Sequence, residues 1–308
     1  MGKVVVIGGN GFLGSHTVDT LAELGHEVAA FDRFDDAERR FEASGIHEIT
    51  GDFLDDDSLR CAVEGQDFVV HMLSTTTPAT ADVDPGLDVR TNLARTVALL
   101  DACVAAGVRS VYFASTGGAI YGPQGRETYR ESDPTLPISP YAIGKLAIER
   151  YLEFYRITRG LDFVVARISN PYGPRQNPRN PQGFIPIALR RIREGAPVIR
   201  LGDGSMLRDY VYVTDVAIAV GRLIGADAEH RTYNIGSGHG LTVNQVLSAL
   251  REVTGVDFGV EDRPAPPTFV DRVTLDVSRY VREFGEIARV ALADGIRETW
   301  DALESSQG

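Results

Sequence analysis

The first 32 residues place the tightest constraint on the fold. Val4-Val5-Val6-Ile7 is a short continuous apolar run, as a buried parallel strand requires. Gly8-Gly-Asn-Gly-Phe-Leu-Gly14 follows, then a helical stretch over Ser15–Leu24 closed by Gly25, a second apolar strand over Glu27–Phe31, and Asp32. Strand, glycine loop, helix, strand and acid within about 30 residues form the dinucleotide fingerprint in its required context. Glycine lets the backbone approach a pyrophosphate, and the helix N-terminus favours its charge. Asp32 is placed to accept hydrogen bonds from the adenosine ribose hydroxyls. That points to NAD, because a 2′-phosphate would meet a carboxylate; the adjacent Arg33 works against the preference.

The same alternation continues. Strands are expected at Ile46–Thr50, Phe68–Met72, Val108–Ala114 and Leu161–Ile168, with long helices over Pro85–Ala106 and Pro140–Arg159. The architecture implied is α/β: a Rossmann-type doubly wound parallel sheet over residues 1–170, to which parts of 209–240 return, and a smaller α/β lobe over 171–308 that binds substrate. A ligand belongs at the carboxyl ends of the strands, between the two. In the second half, Arg175–Gly183 is a polar, Pro-rich loop and Asp262–Pro267 a Pro-rich crossover. Short strands are expected at Val198–Leu201 and Asp209–Val213. Helices are expected at Pro186–Glu194, at Thr242–Thr254 with Thr242 as cap, and at Ala291–Leu303. His71, inside an apolar strand, reads as a packed residue and not a ligand. Asp52, just after a strand, suits an adenine edge or a turn.

Tyr141 and Lys145 are the candidates for chemistry. Residues four apart share a helix face. A phenol has an ordinary pKa of roughly 10, and a cation one turn away favours its phenolate. Taken alone, the spacing is a weak signal and more often means a packed Tyr and a solvated Lys; its context, with the nucleotide fingerprint upstream, reverses that.

The net charge of −12 over 308 residues argues against a nucleic-acid or membrane-surface binder. Cys61 and Cys103 are isolated from each other and from any His, which suits a reducing compartment and no metal site. There is no apolar run of transmembrane length, and the first strand begins at Lys3, leaving no room for a signal peptide. A cytoplasmic protein is expected.

The chain also resembles the extended short-chain dehydrogenase/reductase family, and within it the nucleotide-sugar epimerases of the UDP-glucose 4-epimerase group. The resemblance spans nearly the whole chain. It rests on VVIGGNGFLGSH, Asp32, GDFLD, YFASTGGAIYG, SPYAIGKLAIE, ARISNPYG and GDGSMLRDYVYVTDVA, in the family's order and spacing. Ile7 stands where the family's glycine motif usually begins with Thr. The resemblance implies a catalytic Thr116, Tyr141 and Lys145, with Ser115 the weaker hydroxyl candidate. It implies NAD contacts at Gly8, Gly11, Phe12, Leu13, Asp32, Asp52, Phe53 and Asn92, besides Tyr141 and Lys145. It implies substrate contacts at Thr116, Tyr141, Asn170 and Arg208, the last two on the diphosphate, where an Arg fork matches phosphate oxygens. Arg263 is a looser match, and Asp271 departs from the spacing of the group's usual Asp.

The implied reaction is 4-epimerisation of a UDP-hexose, UDP-glucose/UDP-galactose, through a transient 4-keto sugar by a homodimer. UDP-N-acetylhexosamines and UDP-glucuronate are the alternative substrates. Gly117-Gly118 after Thr116 argues against the 4,6-dehydratases, which carry Asp-Glu there, and against the UDP-glucuronate decarboxylases, which carry Glu. Asp32 argues against an NADP-dependent reductase. Retention of both Tyr141 and Lys145 argues against a nucleotide-sensing regulator.

Overall fold

The computed structural model describes residues 1–34, 38–180, 182–266 and 268–305. The elements run β1 (Lys3–Ile7), α1 (Phe12–Glu23), β2 (Glu27–Asp32), β3 (His47–Thr50), α2 (Asp56–Val63), β4 (Phe68–His71), α3 (Pro78–Val83), α4 (Pro85–Asp88), a π-helical turn (Val89–Leu93), α5 (Ala94–Ala106), β5 (Ser110–Thr116), β6 (Thr128–Tyr129), α6 (Pro140–Arg159) and β7 (Asp162–Ile168). They continue with β8 (Asn170–Tyr172), α7 (Phe184–Arg193), β9 (Val198–Leu201), β10 (Leu207–Tyr212), α8 (Val213–Leu223), β11 (Thr232–Ile235), β12 (Gly240–Thr242), α9 (Val243–Thr254), β13 (Val260–Arg263), β14 (Arg272–Leu275), α10 (Ser278–Phe284) and α11 (Leu292–Ser305). The chain divides into two compact units. One comprises Met1–Thr116, Ser139–Arg167 and Ala217–Tyr233, and the other the remainder.

The first unit is built on a seven-stranded sheet in the order β11-β7-β5-β4-β1-β2-β3. From β5 to β3 every pairing is parallel, with Val4 opposite both Val28 and Phe68. Val4–Ile7 and Phe68–His71 are buried throughout, so these strands are covered on both faces. One face receives Leu59 and Val63 of α2, Leu99 and Leu100 of α5, and Ile148 and Leu152 of α6. Each such side chain contributes roughly 1.5–3 kcal/mol on burial. α6 spans the expected residues because both ends are specified. Ser139 Oγ accepts from Ala142 N at 3.4 Å, Pro140 opens the first turn and Gly160 closes the last at φ 71°.

Three expectations need correction. The helix after the first loop begins at Phe12 and not Ser15, because Gly11, in extended backbone, already serves as its cap. The long helix over 85–106 is interrupted by the π-helical turn at Val89–Leu93, a local widening that often marks a functional site. Val260–Arg263 pairs in parallel with β9, so the expected crossover begins as a strand; its end at Pro267 lies outside the described residues, as does Pro181 in the expected Arg175–Gly183 loop.

The second unit holds a sheet in the order β12-β10-β14-β6, with β8 beside β10. Its core gathers Leu189 of α7, Leu247 and Leu250 of α9 and Ile296 of α11 around Tyr172, Tyr210 and Tyr212. Thr242 caps α9 as expected, in a reciprocal capping box with Gln245. Among the described residues no helix is long and apolar enough to cross a membrane, and no group of His, Cys, Asp and Glu is arranged to hold a metal ion.

Candidate active site

The carboxyl ends of β1 and β2 carry the first part of the site. Gly8 adopts φ +84°, and its N–H, with that of Gly9, donates to Phe31 O at 2.9 and 3.1 Å. A Cβ on Gly14 would overlap the carbonyl oxygen of Gly8, so only glycine lets α1 start this close to the loop. Gly11 offers the first amides of α1 no side-chain cap, and those amides suit an external anion. Phe12 and Leu13, half-buried, form the opening turn. Asp32 Oδ2 accepts from Asn10 N at 2.9 Å, and Oδ1 from Arg33 N at 2.9 Å. Asn10, within the glycine loop, carries no signal of its own in the sequence. Its side chain donates to Glu38 O at 3.3 Å and accepts from Arg40 N at 2.8 Å, tying the loop after Asp32 to the glycine loop. A backbone cradle, an open helix end and an acid at the tip of β2 together fit a dinucleotide.

Three other nucleotide candidates stand in more structural positions. Asp52 Oδ1 accepts from Leu54 N at 2.9 Å, forming a turn after β3. Phe53 is buried against His71, ring centroids 5.3 Å apart, and its carbonyl accepts from Arg95 Nε at 3.1 Å. Asn92 is buried; its amide nitrogen donates to Thr76 Oγ1 and to Asp88 Oδ1, both at 2.8 Å, and its oxygen accepts from Thr75 N at 2.9 Å. His71 is packed as expected, its Nε2 2.9 Å from Thr96 Oγ1.

β5 and α6 supply the second part. Lys145 is buried and its ammonium donates to Ala114 O at 2.9 Å, two residues before Thr116. It stands 4.7 Å from the Phe113 ring centroid and 5.8 Å from that of Tyr141. Ser115 Oγ donates to Glu149 Oε1 at 2.6 Å, so of the two hydroxyls Thr116 is the uncommitted one at the strand end. Glu149 also receives Arg167 Nε at 3.1 Å and Nη2 at 2.7 Å. This buried cross-link joins α6 to both β5 and β7. Its sequence signal is Glu149 four residues after Lys145, on the face Tyr141 and Lys145 share.

The charge states correct one expectation. Spacing alone implied that Lys145 lowers the Tyr141 pKa. In the chain by itself burial, and then the charge of Asp88, push the Tyr141 phenol up to about 12. Burial pulls Lys145 down to about 8 against the opposing pull of Asp88 and Glu149. The Lys145 ammonium, 5.8 Å from the Tyr141 ring centroid, does not outweigh the loss of hydration at the phenol in the chain by itself.

In the second unit, Asn170 and Arg208 lie on the neighbouring strands β8 and β10, and Asn170 Nδ2 donates to Asp209 O at 3.1 Å. Arg208 Nη1 donates to Leu207 O at 2.8 Å and Asp271 O at 2.9 Å, while burial lowers its pKa. Asp271 thus meets Arg208 through its backbone carbonyl. Arg263 is exposed and donates to Glu261 at 2.7 Å.

A glycine cradle with its acid, beside a strand-end Thr and a helix-borne Tyr–Lys pair, defines an extended short-chain dehydrogenase/reductase. The sequence model of the NAD dependent epimerase/dehydratase family matches residues 4–236, and the chain belongs to that family. It is an NAD-dependent epimerase. It is 33% identical over 303 residues to a UDP-glucose 4-epimerase of Mycolicibacterium smegmatis, covering 96% of this chain and 97% of that one. It is 32% identical over 317 residues to a dTDP-glucose 4,6-dehydratase of Streptomyces griseus, covering 96% and 92%. The fold matches the crystal structure of Thermotoga maritima UDP-glucose 4-epimerase with UDP-glucose at a TM-score of 0.92 and 32% identity, covering 99% of this chain and all of that one.

Proposed function

We propose that the chain interconverts UDP-glucose and UDP-galactose, and that Thr116, Tyr141 and Lys145 carry the reaction. The observation that carries this reading is the placement of Tyr141 and Lys145 on the first turns of α6, with Lys145 anchored to β5 two residues before Thr116. When bound, NAD would supply a hydride acceptor that becomes the donor and, in its oxidised form, a positive charge. Tyr141 takes the proton of the sugar 4-hydroxyl. Thr116 donates a hydrogen bond to the same oxygen as it gains carbonyl character. Lys145, kept a cation, favours the phenolate. The 4-keto sugar then turns over and is reduced on its other face, Tyr141 returning the proton. Gly8, Gly11, Phe12, Leu13 and Asp32 are the proposed cofactor contacts, with Asp52, Phe53 and Asn92 shaping that site. Asn170 and Arg208 hold the diphosphate, which spends remote binding energy on positioning.

Gly117-Gly118 after Thr116 supports epimerisation over 4,6-dehydration, since no acid is there to act at C5 and C6. Ile143, Tyr151, Phe154 and Ile157 are exposed along α6, and that apolar stripe supports a homodimer. The free thiols of Cys61 and Cys103 support a cytoplasmic setting.

Proton NMR of the purified protein with UDP-glucose tests the reading. The anomeric signal of UDP-galactose should grow to a steady ratio, and Tyr141→Phe should slow it by roughly 10²–10⁴-fold. An unchanged spectrum, also after addition of NAD, would exclude this substrate pair and turn the test to UDP-N-acetylglucosamine and UDP-glucuronate.

A further inference from the structure

The π-helical turn leaves one buried carboxylate next to the Tyr–Lys pair. Asp88, 3% exposed, ends α4 just before the turn. Thr76 Oγ1 donates to its Oδ1 at 2.5 Å and Asn92 Nδ2 to the same oxygen at 2.8 Å. Both donors are neutral, so no cation balances the charge through a hydrogen bond. The other oxygen, Oδ2, faces α6 at Gly144, where a Cβ would overlap it. Gly144 lies three residues after Tyr141 and one before Lys145. The missing side chain is what admits the carboxylate to the helix backbone between them.

We infer that Asp88 is a positioning residue for this pair: seated against Gly144, its carboxylate holds Lys145 as the cation and Tyr141 as the phenol in the chain by itself. The inference rests on the reading of Tyr141 and Lys145 as the reacting pair. A buried carboxylate held only by neutral donors costs stability, which argues for a use. The Asp88 charge raises Tyr141, second to burial, and is the larger of the two charges that oppose the lowering of Lys145. The other groups near the pair act on it less than Asp88 or are paired elsewhere. Glu149 of α6, bridged to Arg167 of β7, also opposes the lowering of Lys145, after Asp88. His71 of β4 is pulled down to about 3 by burial and then by Lys145, and so stays uncharged. Asp82 of α3 is exposed. Arg90 of the π-helical turn is bridged to Asp84, Arg95 of α5 is bridged to Asp56, and Asp101 is bonded to Tyr155.

Asp88→Asn tests this, since the amide oxygen keeps both acceptor bonds and only the charge is lost. Turnover needs Tyr141 ionised and Lys145 protonated, so the kcat–pH profile is a bell whose two limbs lie at their two pKa values. Removal of a nearby anion lowers both pKa values. Both limbs of the kcat–pH profile should therefore move to lower pH by roughly half a unit to one unit. The ultraviolet tyrosinate signal that Tyr141→Phe abolishes should shift the same way in the absence of substrate. Limbs and tyrosinate signal that stay in place while the rate drops would overturn the inference, leaving Asp88 a packing residue. If the Asn variant does not fold, Asp88→Leu, neutral and of similar size, takes the same titration. Tyr141→Phe protein that still turns over would instead remove the underlying reading, whatever Asp88 does.

Discussion

Asp88 in the first unit and Asp209 in the second are both buried carboxylates, and they are held in opposite ways. Asp209 is 0% exposed and saturated. It accepts from Ser237 N and Oγ at 2.7 and 2.6 Å, and from Gly238 N and Leu275 N at 3.2 Å each, across both oxygens. Three backbone amides from two segments converge on it, and burial still raises its pKa. Asp209 therefore knots the sheet around β10. Asp88 takes two side-chain donors on one oxygen and presents the other to the helix bearing Tyr141 and Lys145. A buried acid whose bonds are all made by the fold serves the fold. One held by a single edge has its field left over for its neighbours.

The contrast is sharpest in stability. Asp209→Ala strands several buried donors at once, each worth about 1–3 kcal/mol when left unmet. Its loss should be on the order of 4 kcal/mol in urea unfolding, while Asp88→Asn should change stability by less than about 1 kcal/mol because its acceptor oxygen survives. Equal losses in the two variants would erase the distinction. The Glu149–Arg167 pair falls next. Both side chains are buried, at 8% and 7% exposure. Glu149→Gln leaves a buried guanidinium uncompensated, a change that costs roughly 3 kcal/mol. Adding Arg167→Met to it should recover most of that. A double variant as unstable as the single one would mean that Glu149 acts through Ser115 alone.

These differences are only partly legible in the sequence. Gly8–Gly14, Asp32 and α6 declare themselves because local rules agree there: glycine at the close approach, Ser139 and Pro140 at one end of α6, Gly160 at the other. Tyr141 and Lys145 are readable as a pair because helical spacing is fixed. The direction of the Tyr141 shift is not readable, since it depends on burial and on Asp88, 53 positions earlier in a helix whose π-helical turn no periodicity announces. The strand Val260–Arg263 is equally silent. It is a two-stranded, largely solvated pairing of a polar run, VEDR, with no alternation to mark it. Arg208 is visible as a cation, but that its fork is aimed partly at two backbone carbonyls is known only once β10 and the residues before β14 lie side by side.

His71 offers the smallest and cleanest test of how burial sets charge near Lys145. It is 2% exposed, bonded through Nε2 to Thr96, and set between the rings of Phe53 and Phe113. Its pKa falls to about 3, from burial first and Lys145 second. The folded chain thus refuses a proton that the unfolded chain accepts near pH 6.5. More protons bound in the unfolded state means that stability declines as pH falls through 6.5, and goes on declining until the folded imidazole itself titrates near 3. One unit below the ordinary value, His71 should cost about 1.4 kcal/mol relative to its contribution above pH 7. His71→Asn keeps a partner for Thr96 and cannot titrate, so its unfolding free energy should fall less steeply than that of the natural chain between about pH 6.5 and 5.5. Parallel curves would mean that the imidazole takes up a proton inside the fold. A second cation would then stand beside Lys145 and work against the hold of Asp88 on its proton.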